Sequence, residues 1–375
     1  MYYQNRNSYP PYPPYQQPYG QPVYPPPYSP QPVQQVRYVA VPPPYALQNQ
    51  AEKRELSKTV CGLAWMTLIA VLCLTLLSSL NSLVINSLPI YGGDANTTYQ
   101  VISAYTTGFF YLLAIFLPPL IYLKIRGLAV ADFIPTQRVS AGLAILMVGL
   151  GVGVSLLSNQ ASSWVSTLEA AFGFEEYAAQ SALGNTLFSQ ISYVLIWALV
   201  PALSEEFLFR GVILGSLRKF GGGFAVVSSA ALFALYHGNF SQGAFTFCGG
   251  LIMGFLVLRT GNIWISVLVH FLNNAIACTY EVLFYKYDSV LFGQLGFSIS
   301  ELFFYVTEAV FVALAIAAVI YLFCRKRGYL TTAPHSAGQL SASQKTGALF
   351  GNAGMIVYLI FSLITCFSML QPIYG

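Results

Sequence analysis

Charge is scarce in this chain. Of its 375 residues only 8% are Asp, Glu, Lys or Arg, against roughly a quarter in an average soluble domain, which excludes a water-soluble enzyme of this length. The 17 Lys and Arg against 13 Asp and Glu are too few to form a cationic footprint, so no nucleic-acid partner is expected. Histidine is scarcer still, with three copies. The six cysteines show no C-x-x-C spacing and lie in or beside apolar runs, where a free thiol packs as a small hydrophobe. Neither disulfides nor a cysteine-ligated metal is expected. No H-E-x-x-H stretch exists, so the usual zinc-protease layout is absent. What the chain has in excess is apolar surface: 56% hydrophobic residues, 15% aromatics and a mean hydropathy of +0.61.

Two blocks differ in composition. The first 50 residues hold 14 of the 21 prolines and ten tyrosines, woven as in Tyr9 to Tyr15. Such a segment builds no core and is expected to be disordered or polyproline II. Residues 1–55 are therefore read as a Pro/Tyr/Gln-rich cytoplasmic tail and 56–375 as a transmembrane helical domain. The Pro25 to Tyr28 and Pro42 to Tyr45 stretches fit the short pattern that WW-type domains bind, but a flexible tether is the simpler role. The start of the chain lacks the apolar stretch and small-residue cleavage site of a signal peptide, so the first span is expected to stay as an anchor.

From Thr59 onward apolar stretches of about 20 residues, the length that crosses a bilayer as a helix, are separated by charges. Nine spans are read, near 60–82, 101–123, 139–157, 186–217, 223–238, 244–258, 262–281, 302–324 and 349–370, so the fold class is an all-α polytopic bundle of about eight or nine spans. Lys and Arg favour the cytoplasmic side. Lys53, Arg54 and Lys58 precede the first span, and every even-numbered connection is basic: Lys124, Arg126 and Arg138; Arg218 and Lys219; Arg259; Arg325, Lys326, Arg327 and Lys345. The odd connections carry mainly acids. This pattern predicts a multi-pass integral membrane protein with a cytoplasmic N-terminus. Between Ser158 and Leu183, Trp164, Leu168 and Phe172 at helical spacing predict a helix lying on the outer interface.

Glu205, Glu206 and Arg210 fall within the fourth span, where each costs roughly 2.5 to 3.5 kcal/mol. Glu206 and Arg210 are i, i+4 with the acid first, the favourable order for a pair. Glu205 lies about 100° around the helix and must face another neighbour. Counting ~1.5 Å of rise per residue from the turns near Gly221 to Gly223 and near Gly261 brings Glu205, His237, His270 and Asn274 to overlapping depths. Phe233 shares a helix face with His237, and His270 with Asn274. His335 falls in a cytoplasmic loop with no evident role. Taken singly, a buried His or Asn is as well explained by an interhelical hydrogen bond of roughly 0.6 to 2 kcal/mol, and two glutamates would also suit a transporter or an immunity protein that binds without catalysis. An acid, two imidazoles and a carboxamide in one layer, however, form the inventory of a hydrolytic site.

Peptide hydrolysis needs an activated water and donors aimed at the developing oxyanion. Glu205 suits the base, His237 holds the same water, and His270 and Asn274 serve as oxyanion donors; an amide can orient and donate but not act as acid or base. A second scheme uses the same residues around zinc, with His237, His270 and Glu205 as ligands and a metal-bound water as nucleophile. The sequence leaves both open.

These residues carry a resemblance. Glu205 to Arg210 fits E-E-x-x-x-R, Phe233 to His237 fits F-x-x-x-H, and His270 to Asn274 fits H-x-x-x-N. In this order on successive membrane helices, over roughly residues 185–285, they resemble the intramembrane proteases of the CAAX-protease and bacteriocin-processing (CPBP or Abi) family. The resemblance implies an endopeptidase acting on membrane-associated peptides or proteins, such as a prenylated CAAX-like C-terminus or a bacteriocin or signalling-peptide precursor. It assigns water activation to Glu205 and His237 and oxyanion stabilisation to His270 and Asn274. Both metalloprotease and metal-free glutamate mechanisms are associated with such proteins.

Overall fold

The computed structural model describes residues 44–89, 95–177, 183–287, 298–325 and 340–373. Most of the tail, residues 1–43, lies outside them, as does His335. The chain order is α1 (Pro44–Asn86), α2 (Ala95–Ile125), α3 (Ala141–Leu157), α4 (Asn159–Ala171), β1 (Phe174–Glu176), α5 (Leu187–Glu206), a π-helical stretch (Phe207–Ile213), α6 (Leu214–Leu217), α7 (Gly222–Tyr236), α8 (Phe240–Thr260), α9 (Ile263–Tyr287), α10 (Ile299–Arg325), α11 (Ala342–Phe350), α12 (Ala353–Ser368) and β2 (Leu370–Pro372). Seven helical stretches are long and apolar enough to cross a membrane, and an eighth if α11 and α12, bent by 69°, count as one. Their outward faces carry large apolar side chains such as Leu76, Leu83, Ile145 and Ile320, a surface that fits lipid rather than water.

Two expectations need correction. Residues 44–55, read as tail, form the start of α1: Pro44 suits a first helical turn, and Ala, Leu, Gln, Glu, Lys and Arg that follow are good helix formers. The fifth expected span is α7, only 15 residues and thus about 22 Å long, less than the ~30 Å hydrocarbon core. It ends at His237, Gly238 has a φ of +60° that favours glycine, and Asn239 caps α8 by accepting from Gln242 N at 2.6 Å. The turn thus falls at the expected end of the fifth span, but the helix before it is too short to cross. The helical bundle carries one small addition, β1 paired antiparallel with β2, Glu175 facing Gln371. The helix expected between Ser158 and Leu183 is α4, with Trp164, Leu168 and the following Phe172 exposed.

The connections gather at two ends. At one end Thr136 pairs with Asn262, Gln137 N donates to Gly261 O, and Lys219 pairs with Glu55. At the other, β1 meets β2, Lys286 Nζ donates to Asn185 Oδ1 at 2.9 Å, and Glu176 accepts from the backbone of Phe240 and Ser241 at the start of α8. A carboxylate there complements the positive end of the helix dipole.

Candidate active site

The site forms where α5 stops being a regular α-helix. Pro201 lies within α5 and has no N–H for the helical ladder. Six residues later the π-helical stretch begins, and such widened turns recur at functional sites. Ser229 on α7 donates to Phe209 O in that stretch at 2.8 Å, tying the irregular backbone to the helix that leads to His237.

Glu206 and Arg210 are fully enclosed, with 0% and 1% exposure, and pair at 2.8 Å through Arg210 NH1 and Glu206 Oε1. The same oxygen accepts from His270 Nδ1 at 2.9 Å. Glu206 therefore does more than balance Arg210: it fixes the ring of His270 on α9. The Arg210 guanidinium lies 4.3 Å over the Phe233 ring, a cation–π contact. The edge-to-face contacts of Phe233 reach His237 at 4.8 Å and His270 at 5.9 Å. Phe233, expected only as a support, is the hub between the guanidinium and both imidazoles.

Glu205 turns the other way. Its Oε1 accepts from the Tyr111 hydroxyl on α2, and Tyr111 Oη lies 3.0 Å from Tyr236 Oη. Its second oxygen, Oε2, has no hydrogen-bond partner among the described residues and lies 3.7 Å from His270 Nε2. His237 contacts the Phe233 carbonyl through Nδ1 at 2.8 Å. A carbonyl only accepts, so Nδ1 carries the proton and a neutral ring keeps its lone pair on Nε2.

Glu205, His237, His270 and Asn274 all line one cavity of about 380 Å³, along with Tyr111, Phe233 and Tyr236. The expected side chains thus converge, with Glu206 and Arg210 behind the wall. A second cavity of about 640 Å³ adjoins on the α10 side, shares Asn274 and includes Glu308. Among the described residues no three His, Cys, Asp or Glu side chains form a group able to hold a metal ion. His237 and His270 each have Nδ1 engaged and Glu205 has Oε1 engaged, which leaves Nε2 of both rings and Oε2 of the carboxylate to meet a further group.

Sequence reasoning missed Tyr111, Tyr236 and Glu308. Tyr236 adjoins His237, and Glu308 is an acid inside an apolar span, a signal in its own right. Nothing marks Tyr111 among the 26 tyrosines.

Comparison with known proteins bears on the same segment. Residues 187–276 match the model of a family described as type II CAAX prenyl endopeptidase Rce1-like, and this stretch contains all three motifs. The chain is 26% identical over 139 residues, 37% of its length, to a Bacillus subtilis (strain 168) protein named "Putative membrane peptidase YdiL". That match spans 57% of the relative. No solved structure matches. The motif segment lies inside the first match, and the two matches together support a likeness to the CAAX-protease and bacteriocin-processing (Abi) family.

Proposed function

We propose that this protein is an intramembrane endopeptidase that cleaves membrane-associated peptides or proteins with a water activated by Glu205 and His237. The observation that carries the reading is Glu205, a buried carboxylate whose Oε2 has no hydrogen-bond partner among the described residues, in the lining of a cavity shared with two imidazoles and a carboxamide. A water bound there donates one hydrogen to Oε2 and the other to His237 Nε2. As the water attacks the scissile carbonyl, its proton passes to Glu205 and its oxygen bonds to carbon. The developing oxyanion accepts from the Asn274 amide and from His270 Nε2–H. For that donation the His270 ring carries both protons, with Nδ1–H held by Glu206. Collapse breaks the C–N bond, and the proton on Glu205 leaves with the amine.

No step here passes through a metal. The test uses purified protein in lipid vesicles with a lipid-tethered reporter peptide, with and without chelator. Glu205→Gln is expected to abolish cleavage while the protein still inserts, and the wild type to stay active after metal removal. Full activity in Glu205→Gln would reject the base assignment, and activity lost to chelator and restored by zinc would select the metal scheme. A transporter would instead move substrate without cleaving it and keep doing so in Asn274→Ala.

The basic connections support a cytoplasmic N-terminus. The Pro/Tyr-rich tail would then lie in the cytoplasm, where a WW-type domain is the class of partner its Pro25 to Tyr28 stretch would suit.

A further inference from the structure

We propose that Tyr111 is a positioning residue that decides which oxygen of Glu205 acts as the base. The inference rests on the reading of Glu205 as general base and adds a residue that none of the three motifs contains. Tyr111 comes from α2, outside the 187–276 match.

Hydrogen-bond directions follow from which groups can donate. An ionised carboxylate only accepts, so the Tyr111 O–H is committed to Glu205 Oε1. The Tyr111 oxygen then has only lone pairs left, and the Tyr236 hydroxyl, 3.0 Å away, donates to it. The order is Tyr236 to Tyr111 to Glu205, and its last proton is spent on Oε1.

The carboxylate is therefore asymmetric, with Oε1 tied to α2 and Oε2 without a partner and 3.7 Å from His270 Nε2. The last torsion of a Glu side chain is broad and roughly two-fold, so an untied carboxylate would exchange its oxygens and tilt its plane. The tie at Oε1 fixes that plane and leaves the oxygen beside His270 to meet the water. Both phenols line the same cavity wall as Glu205, which places the tie in the site itself. Tyr111 transfers no proton and its O–H bond stays intact. Tyr236 acts one step further back, by holding the Tyr111 hydroxyl in line.

The experiment measures kcat and KM of the full chain in lipid vesicles on a lipid-tethered reporter peptide for four variants: Tyr111→Phe, Tyr236→Phe, the double Tyr111→Phe/Tyr236→Phe, and Glu205→Gln. The Phe variants keep the rings and remove only the hydroxyls. Loss of an oriented hydrogen bond at the base is expected to lower kcat by about tenfold or more in Tyr111→Phe, with KM within about twofold of wild type. A smaller fall is expected in Tyr236→Phe, and the double variant should be no slower than Tyr111→Phe alone, because the second hydroxyl works only through the first. An unchanged kcat in Tyr111→Phe with an inactive Glu205→Gln would overturn the tyrosine assignment and leave the general base standing. Losses that multiply in the double variant would overturn the order of the chain. Should Tyr111→Phe fold poorly, an unchanged kcat in well-folded Tyr236→Phe would overturn the chain by itself. Full activity in Glu205→Gln would bring down the general base first, and the positioning role with it.

Discussion

Two neighbouring glutamates have opposite tasks because a helix turns about 100° between them. Glu206 faces inward to Arg210 and His270 and accepts from both with one oxygen, while Glu205 lines the cavity with one buried oxygen unpartnered. Removing the charge at Glu206 leaves a guanidinium buried without its counter-ion, and breaking a buried pair by removing one partner costs about 3 to 5 kcal/mol. Glu206→Gln is therefore expected to unfold at a markedly lower temperature in detergent, and adding Arg210→Met to recover much of that loss. A Glu206→Gln melting curve that overlays the wild type would show that the pair contributes little. The i, i+4 spacing makes the Glu206 and Arg210 pair legible in the sequence alone. The bond from Glu206 to His270 is not, because it joins residues 64 apart and depends on how α9 packs against α5.

The same distinction holds for helices. Helix existence can be read from apolar runs and flanking charges, and α2, α3, α9 and α10 run close to their expected limits, whereas α1 begins well before its own. The π-helical stretch cannot, since it follows from a local break in the backbone ladder. How α3 and α10 pack is equally hidden in the sequence. A Cβ built on Gly153 would fall 2.5 Å from Phe311 O and 2.8 Å from Ala315 Cβ, whereas one on Gly142 of the same helix meets nothing within 4 Å. Small residues let membrane helices approach this closely. Gly153→Leu should force α3 from α10 and destabilise by about 1 to 3 kcal/mol, the usual cost of overpacking. Gly142→Leu should leave thermal stability unchanged, so equal melting temperatures for the two variants would mean that the contact does not limit packing.

For the molecule as a whole, the alternation of basic and acidic connections and the cross-links between them give the same arrangement. The contact between Lys219 and Glu55 and the bridge between Thr136 and Asn262 join connections rich in Lys and Arg, whereas β1 and β2 join the two segments near Glu169, Glu175 and Glu176. Cross-links of this kind fix which connections share an end but carry no sign for the membrane. The positive-inside preference would supply it, and the proposed cytoplasmic N-terminus places the Lys219 end in the cytoplasm. Glu175 and Lys219 are both exposed and lie at opposite ends. In a variant with its six cysteines replaced, a membrane-impermeant maleimide applied to intact cells should label Glu175→Cys at once and Lys219→Cys only after the membrane is permeabilised. The reverse order would invert the protein in the bilayer and put the Pro/Tyr-rich tail outside, beyond the reach of any cytoplasmic docking domain. The catalytic groups would keep their geometry in either case, because the cavity is built from helices whose packing does not depend on which leaflet each end faces.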